Sequence, residues 1–153
     1  MRVTRRRVRG DEGAALVEFA IVAPLLFALV FGIIEFGWAF MQNLDVRHGA
    51  REGSRLIAVN YRPDPTATPA EQASDIIQEV CARMDGGSGT TVSISTLGAG
   101  AAGDRGEVSV TRDLDTLTGF YDAILGGIDL DSSVDTRIEV DATWSPLTEA
   151  CDP

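Results

Sequence analysis

From Ala14 to Met41 the chain is apolar for twenty-eight residues, interrupted by only two charges, Glu18 and Glu35. Coiled as a helix, that run measures about 42 Å, more than the roughly 30 Å hydrocarbon core of a bilayer. It is long enough to span, with excess at one end. An acidic side chain near the bilayer centre costs roughly 2.5–3.5 kcal/mol on insertion scales, so Glu18 calls for a partner. A secretory signal would have a shorter apolar region closed by a small-residue cleavage site, and Phe36-Gly37-Trp38-Ala39-Phe40 supplies none.

The 153 residues suffice for one membrane helix and one small folded unit. All thirteen basic residues are arginine, and five of them (Arg2, Arg5, Arg6, Arg7 and Arg9) precede the apolar run. That flank keeps the N-terminus cytoplasmic and sends residues beyond about 42 outside, although Arg47, Arg51, Arg55 and Arg62 weaken the bias. Without the first thirteen residues, eight arginines face twenty-one acids, a net charge of −13. So acidic a body disfavours direct nucleic acid binding. Cys81 and Cys151, the two cysteines, fall in the segment expected outside, where a disulfide closing a loop of about seventy residues contributes about 4 kcal/mol in the chain-entropy model. The alternative is a thiol in a helix and another in a frayed tail.

Helical character is expected to continue to about Val59, with Arg47, Arg51 and Arg55 on one face and Leu44, Ala50, Leu56 and Val59 on a weaker apolar side. Gly49 and Gly53 count against this outer half, and Pro24 removes one backbone hydrogen bond within the apolar run. Residues 60–69, with Pro63 and Pro65, read as a linker. Thr68-Pro69-Ala70-Glu71 spells a capping box, opening a helix whose apolar stripe runs from Ala73 to Met84 and which Gly86-Gly87 ends. Residues 90–97 and 107–112 read as strands joined by a floppy loop over 98–106, residues 113–127 as an ambiguous short amphipathic helix, and 134–144 as the clearest period-two strand. The expected architecture is α+β. A leader (1–13) precedes a transmembrane and stalk helix (14–59), and after the linker a head (70–153) packs one face of an antiparallel sheet on the 69–84 helix.

Motifs for chemistry are weak. Gly98-Ala99-Gly100-Ala101-Ala102-Gly103 has dinucleotide-binding glycine spacing but leads into a strand rather than a helix. Asp129 to Asp135 alternates like a calcium loop, yet Val134 and Val140 occupy the glycine and glutamate positions that loop requires, so a solvated acidic turn is expected. Two cysteines and the lone His48 cannot complete a four-ligand zinc site, and no nucleophile–base pattern stands out. No cofactor, metal or enzymatic activity is expected. The competing idea of a hydrolase in the head requires a convergent carboxylate cleft.

Glu18 has a specific use if a peptidase cuts after Gly13. Ala14 then carries a positive amine, and the carboxylate one helical turn on can neutralise the amine of a neighbouring subunit, offsetting the burial cost of both. The alternative is a carboxylate in the interfacial headgroup layer. Glu35 lies about 260° around the helix from Glu18, on another face. It pairs with an outer arginine or lies in the far headgroup layer.

Gly13-Ala14-Ala15-Leu16-Val17-Glu18-Phe19-Ala20, Pro24-Leu25-Leu26 and Phe31-Gly32-Ile33-Ile34-Glu35-Phe36-Gly37 strongly resemble the TadE-like pseudopilins of tight-adherence (Flp-type) pilus systems. The resemblance is specific over residues 9–59 and generic beyond. It implies cleavage between Gly13 and Ala14 by a prepilin peptidase, with Glu18 as fifth mature residue. It also implies packing through Glu18, Phe19, Pro24, Gly32 and Glu35 against other pilin or pseudopilin subunits, and dealings with the inner-membrane assembly machinery and the lipid bilayer. The expected location is a single pass through the inner membrane, or a pilus outside the cell. A non-polymerising, signal-anchored accessory protein that keeps its leader is the rival reading.

Overall fold

The computed structural model describes residues 11–84 and 89–151. Helix α1 (Asp11–Ala58) runs without interruption through Pro24. It stops where Asn60 takes a left-handed conformation (φ 53°), with Asn60 N–H donating to the Ile57 carbonyl and Tyr61 N–H to the Leu56 carbonyl. This is a Schellman ending, with asparagine in the position glycine usually fills. Helix α2 (Pro69–Ala82) opens on the expected capping box: Glu71 N–H donates to Thr68 Oγ1, and Thr68 N–H donates back to the Glu71 carboxylate at 2.8 Å. The helix ends before Gly86-Gly87, which lie outside the described residues.

Four strands follow: β1 (Thr90–Leu97), β2 (Arg105–Asp113), β3 (Asp129–Arg137) and β4 (Leu147–Ala150). They form one antiparallel sheet in the order β3-β2-β1-β4. The fold is α+β. Val92 and Ile94 from β1 and Val108 and Val110 from β2 project into a core that both helices cover. Thus α2 is not the sole lid; α1 lies over β2 and β3, while α2 lies over β1 and β4.

Gly49 and Gly53, which argued against a helix here, permit that approach. A Cβ on Gly49 would fall 2.2 Å from the Met84 sulfur, and one on Gly53 2.8 Å from Val108 Cγ1. The helical cost of glycine, about 1 kcal/mol, is offset by close backbone contact with β2 at Gly53 and with the end of the α2 segment at Gly49. On the expected apolar side, Ala50 and Leu56 are buried, whereas Leu44 and Val59 face outward beside the exposed arginine row.

Three strand-level expectations require correction. The 134–144 strand is displaced: β3 begins at Asp129, opposite Asp113, and ends at Arg137, opposite Arg105, where β2 offers no further partner. Ile138 then turns into the core, and Glu139 N–H donates to the Ala58 carbonyl. The acidic turn at 129–135 is therefore an edge strand, and its charges fit that role because they discourage edge-to-edge pairing. The loop after β1 is not floppy: Ala102 N–H donates to Asp141, Gly103 N–H to the Ile138 carbonyl, and Ala142 N–H to the Gly100 carbonyl. The expected disulfide, by contrast, is present: Cys151, which follows β4, is bonded to Cys81.

Two outcomes follow. Gly53→Val should destabilise the fold by about 1–3 kcal/mol through overpacking, seen as a lower midpoint in denaturant. The Glu71 carboxyl is held below its usual pKa by its hydrogen bonds from the Thr68 backbone and hydroxyl. A lowered folded-state pKa means that its contribution is complete above the ordinary carboxylate range and is lost as pH falls through that lowered value. Amide protection at Thr68 should drop selectively in acid, and Glu71→Gln should remove that pH dependence.

Candidate functional site

The most unusual surface is the inner half of α1, where residues 13–34 are nearly all exposed, Ala23 being buried and Ala28, Phe31 and Gly32 half-buried. Leu16, Phe19, Ile21 and Leu25 are each about two-thirds exposed or more. This helix is long and apolar enough to cross a membrane. Gly13 and Ala14 are exposed near its start, with open space around Gly13. Glu18, Phe19 and Pro24 are exposed as well, and among the described residues the Glu18 carboxylate has no hydrogen bond or ion pair.

One stripe of α1 behaves differently. Ala28, Gly32, Glu35, Ala39, Gln42, Val46, Gly49, Gly53 and Ile57 follow one another three or four residues apart and fall within about 100° of arc. From Val46 outward the stripe packs in the core; from Ala28 to Gln42 it is covered by the connection between β2 and β3, residues 114–128. That connection contains only the four-residue helix α3 (Asp122–Leu125), less than the amphipathic helix envisaged over 113–127.

Glu35 is 2% exposed and sits beneath this loop. Its carboxylate accepts from Leu117 N–H at 2.7 Å, Thr118 N–H at 3.2 Å and the Thr118 hydroxyl at 2.7 Å. Glu35 thus neither pairs with an arginine nor lies free at a headgroup layer; it anchors backbone donors of the same chain. Two turns further on, the buried Gln42 amide donates to the Asp115 carbonyl at 2.8 Å and accepts from Asp115 N–H at 3.1 Å. At the other end, the Tyr121 hydroxyl donates to the Ala28 carbonyl at 2.6 Å, and Phe120 stacks on Phe31 with centroids 5.5 Å apart. Gly32 makes room for Tyr121, whose hydroxyl would lie 3.1 Å from a Cβ there. In this chain Gly32 and Glu35 therefore serve an internal contact.

A buried ion pair extends the attachment, with Arg112 of β2 donating to Asp45 at 3.2 Å. At the other end of the head, Arg83 bridges Glu79 and Glu52, tying the end of α2 to α1. Among the described residues no group of three or more His, Cys, Asp or Glu is arranged to hold a metal ion.

Sequence reasoning missed Gln42, Tyr121, Asp45 and Arg112. The available signal was the 3–4 spacing of Gly32, Glu35, Ala39 and Gln42, a small-and-polar continuation of the core stripe into apolar sequence. Removing the anchor tests its weight: Glu35→Ala leaves two backbone donors without their acceptor, at about 1–3 kcal/mol each where they are buried. Amide exchange at Leu117 and Thr118 should accelerate by at least tenfold, while β1 and β2 remain protected.

Residues 13–55 match the family described as TadE-like protein. No curated protein and no solved structure matches the chain.

Proposed function

We propose, from the TadE-like match over residues 13–55, that this chain is a minor pseudopilin of a tight-adherence pilus, stored in the membrane through α1 and assembled through that helix. The observation that carries the reading is Glu18, an exposed acid without a partner among the described residues, on a bare apolar run that follows a small-residue junction. A peptidase acting between Gly13 and Ala14 supplies the missing cation. The new amine lies one turn from Glu18 on the helix, and in a stack of subunits the amine of one chain meets the acid of the next.

The covered stripe is consistent with this division of labour. Glu18 lies about 100° away from Glu35, off the strip that the loop occupies. Lipid, and later neighbouring helices, have the rest of the inner circumference. Small residues such as Ala20 permit close helix approach there, and Pro24, lacking an N–H, weakens the helix at one point. In this reading the head faces outward.

N-terminal sequencing of protein from the native membrane should begin at Ala14, and Gly13→Leu should leave the leader attached. Glu18→Ala should insert normally yet be lost from sheared filaments. A chain that begins at Met1 in assembled material removes the amine and refutes the pairing.

A further inference from the structure

The loop clamped to α1 exposes more apolar surface than a soluble loop should. Leu117 is 53% exposed, Phe120 58% and Ile124 71%, although Glu35 and Gln42 hold their loop in one place. Position along α1 gives a reason. The tip reaches the Ala28 carbonyl through Tyr121. A membrane span begun at Ala14 and counted over even the minimum of about 17 residues includes Ala28, and one of about 20 residues places Ala28 several ångströms inside its outer limit. The helix cannot cross without carrying the tip below the surface.

Many of the loop's backbone donors are satisfied within the chain, those of Thr116, Gly119, Tyr121, Ala123 and Gly127 excepted. Non-helical backbone is tolerated in hydrocarbon only where its polar groups are satisfied within the protein. Leu114 N–H donates to the Ile128 carbonyl, Asp115 N–H to Gln42, and Leu117 and Thr118 N–H to Glu35. Further along, Phe120 N–H donates to Thr118 Oγ1, Ile124 and Leu125 N–H to the Tyr121 carbonyl, and Gly126 N–H to the Asp122 carbonyl. The Asp122 carboxylate is itself bonded by the Thr116 hydroxyl. Leu117, Phe120 and Ile124 face outward together with the Asp122 carboxylate, and Phe120 stacks on Phe31, which in turn stacks on Phe27 of α1.

We propose that the 117–128 tip is a second membrane element, inserted into the outer leaflet beside α1, so that the head is held against the bilayer rather than standing free on a stalk. The occupant of its apolar face is lipid acyl chain. Acidic residues dominate the head outside the loop, so the attraction is apolar and zwitterionic lipid suffices. The inference rests on the membrane-anchoring part of the reading above, and not on cleavage or filament assembly.

The test uses the full chain in phosphatidylcholine nanodiscs with a nitroxide at Ile124→Cys, Val22→Cys or Asp131→Cys; Cys81 and Cys151 remain bonded, so only the introduced thiol reacts. Relaxation by oxygen is compared with relaxation by a water-soluble nickel chelate. Labels at 22 and 124 should respond more strongly to oxygen, and the label at 131 to nickel. A nickel-accessible 124 alongside an oxygen-accessible 22 overturns insertion and leaves anchoring intact. A nickel-accessible 22 overturns both. A label at 124 shielded from both reagents in discs holding two copies assigns the face to a neighbouring subunit and overturns the lipid occupant. Phe120→Cys, at the ring that stacks on Phe31, provides a second reporter should the first variant misfold, with the same expected preference for oxygen.

Discussion

The structure depends on a single stripe of α1 that stays covered from Ala28 to Ile57, its inner part within the membrane-length apolar run and its outer part within the head. Over its outer third the stripe meets the sheet and α2, and the covering side chains include Val108 of β2, Val80 of α2 and Met84 just beyond α2. Over its middle it meets residues 114–128, where the partners are polar: a carboxylate, an amide and a carbonyl on the helix against backbone groups and one tyrosine on the loop. Apolar packing there would add little in lipid, because lipid tails compete for apolar surface as well as side chains do. Hydrogen bonds do not face that competition. In the proposed membrane setting, the change from valine and glycine to glutamate, glutamine and carbonyl along one stripe would follow the change of surroundings of a helix emerging into water.

This explains why Glu35 and Glu18, two acids in one apolar run, have different standing. Glu35 has three donors from its own chain and is closed off; Glu18 is exposed with none among the described residues. A carboxylate satisfied within the fold works as an anchor. One left open on a membrane helix is a demand for a partner, and the proposed amine meets it.

Much of the architecture was legible because it rests on local chemistry. The apolar run, the Thr68 capping box, the β1–β2 alternation and the Cys81–Cys151 pairing each have a cause within a few residues or in simple counting. What escaped depends on contacts distant in sequence. Period-two alternation persists through 138–144, but a strand also needs a partner, and β2 ends opposite Arg137. Gly49 and Gly53 looked like breakers because the side chains that need the space, Met84 and Val108, lie thirty or more residues away. Glu35 could not be matched to backbone donors at 117 and 118 without the topology that returns the β2–β3 connection to the helix.

That return also bears on assembly. With the loop seated on one strip, an incoming subunit meets α1 as an asymmetric rod, hydrogen-bonded and occupied on the Glu35 side and bare through the arc that carries Glu18. An isolated apolar helix has many near-equivalent ways to pack in lipid, since dispersion alone distinguishes them poorly. Blocking one face with an ordered loop reduces those ways, and a single charge pair on an open face selects among the remainder. In the proposed assembly, register would come from the amine and Glu18, and rotation from the loop. The head would thereby set subunit orientation through its grip on the helix, without itself having to touch the neighbour.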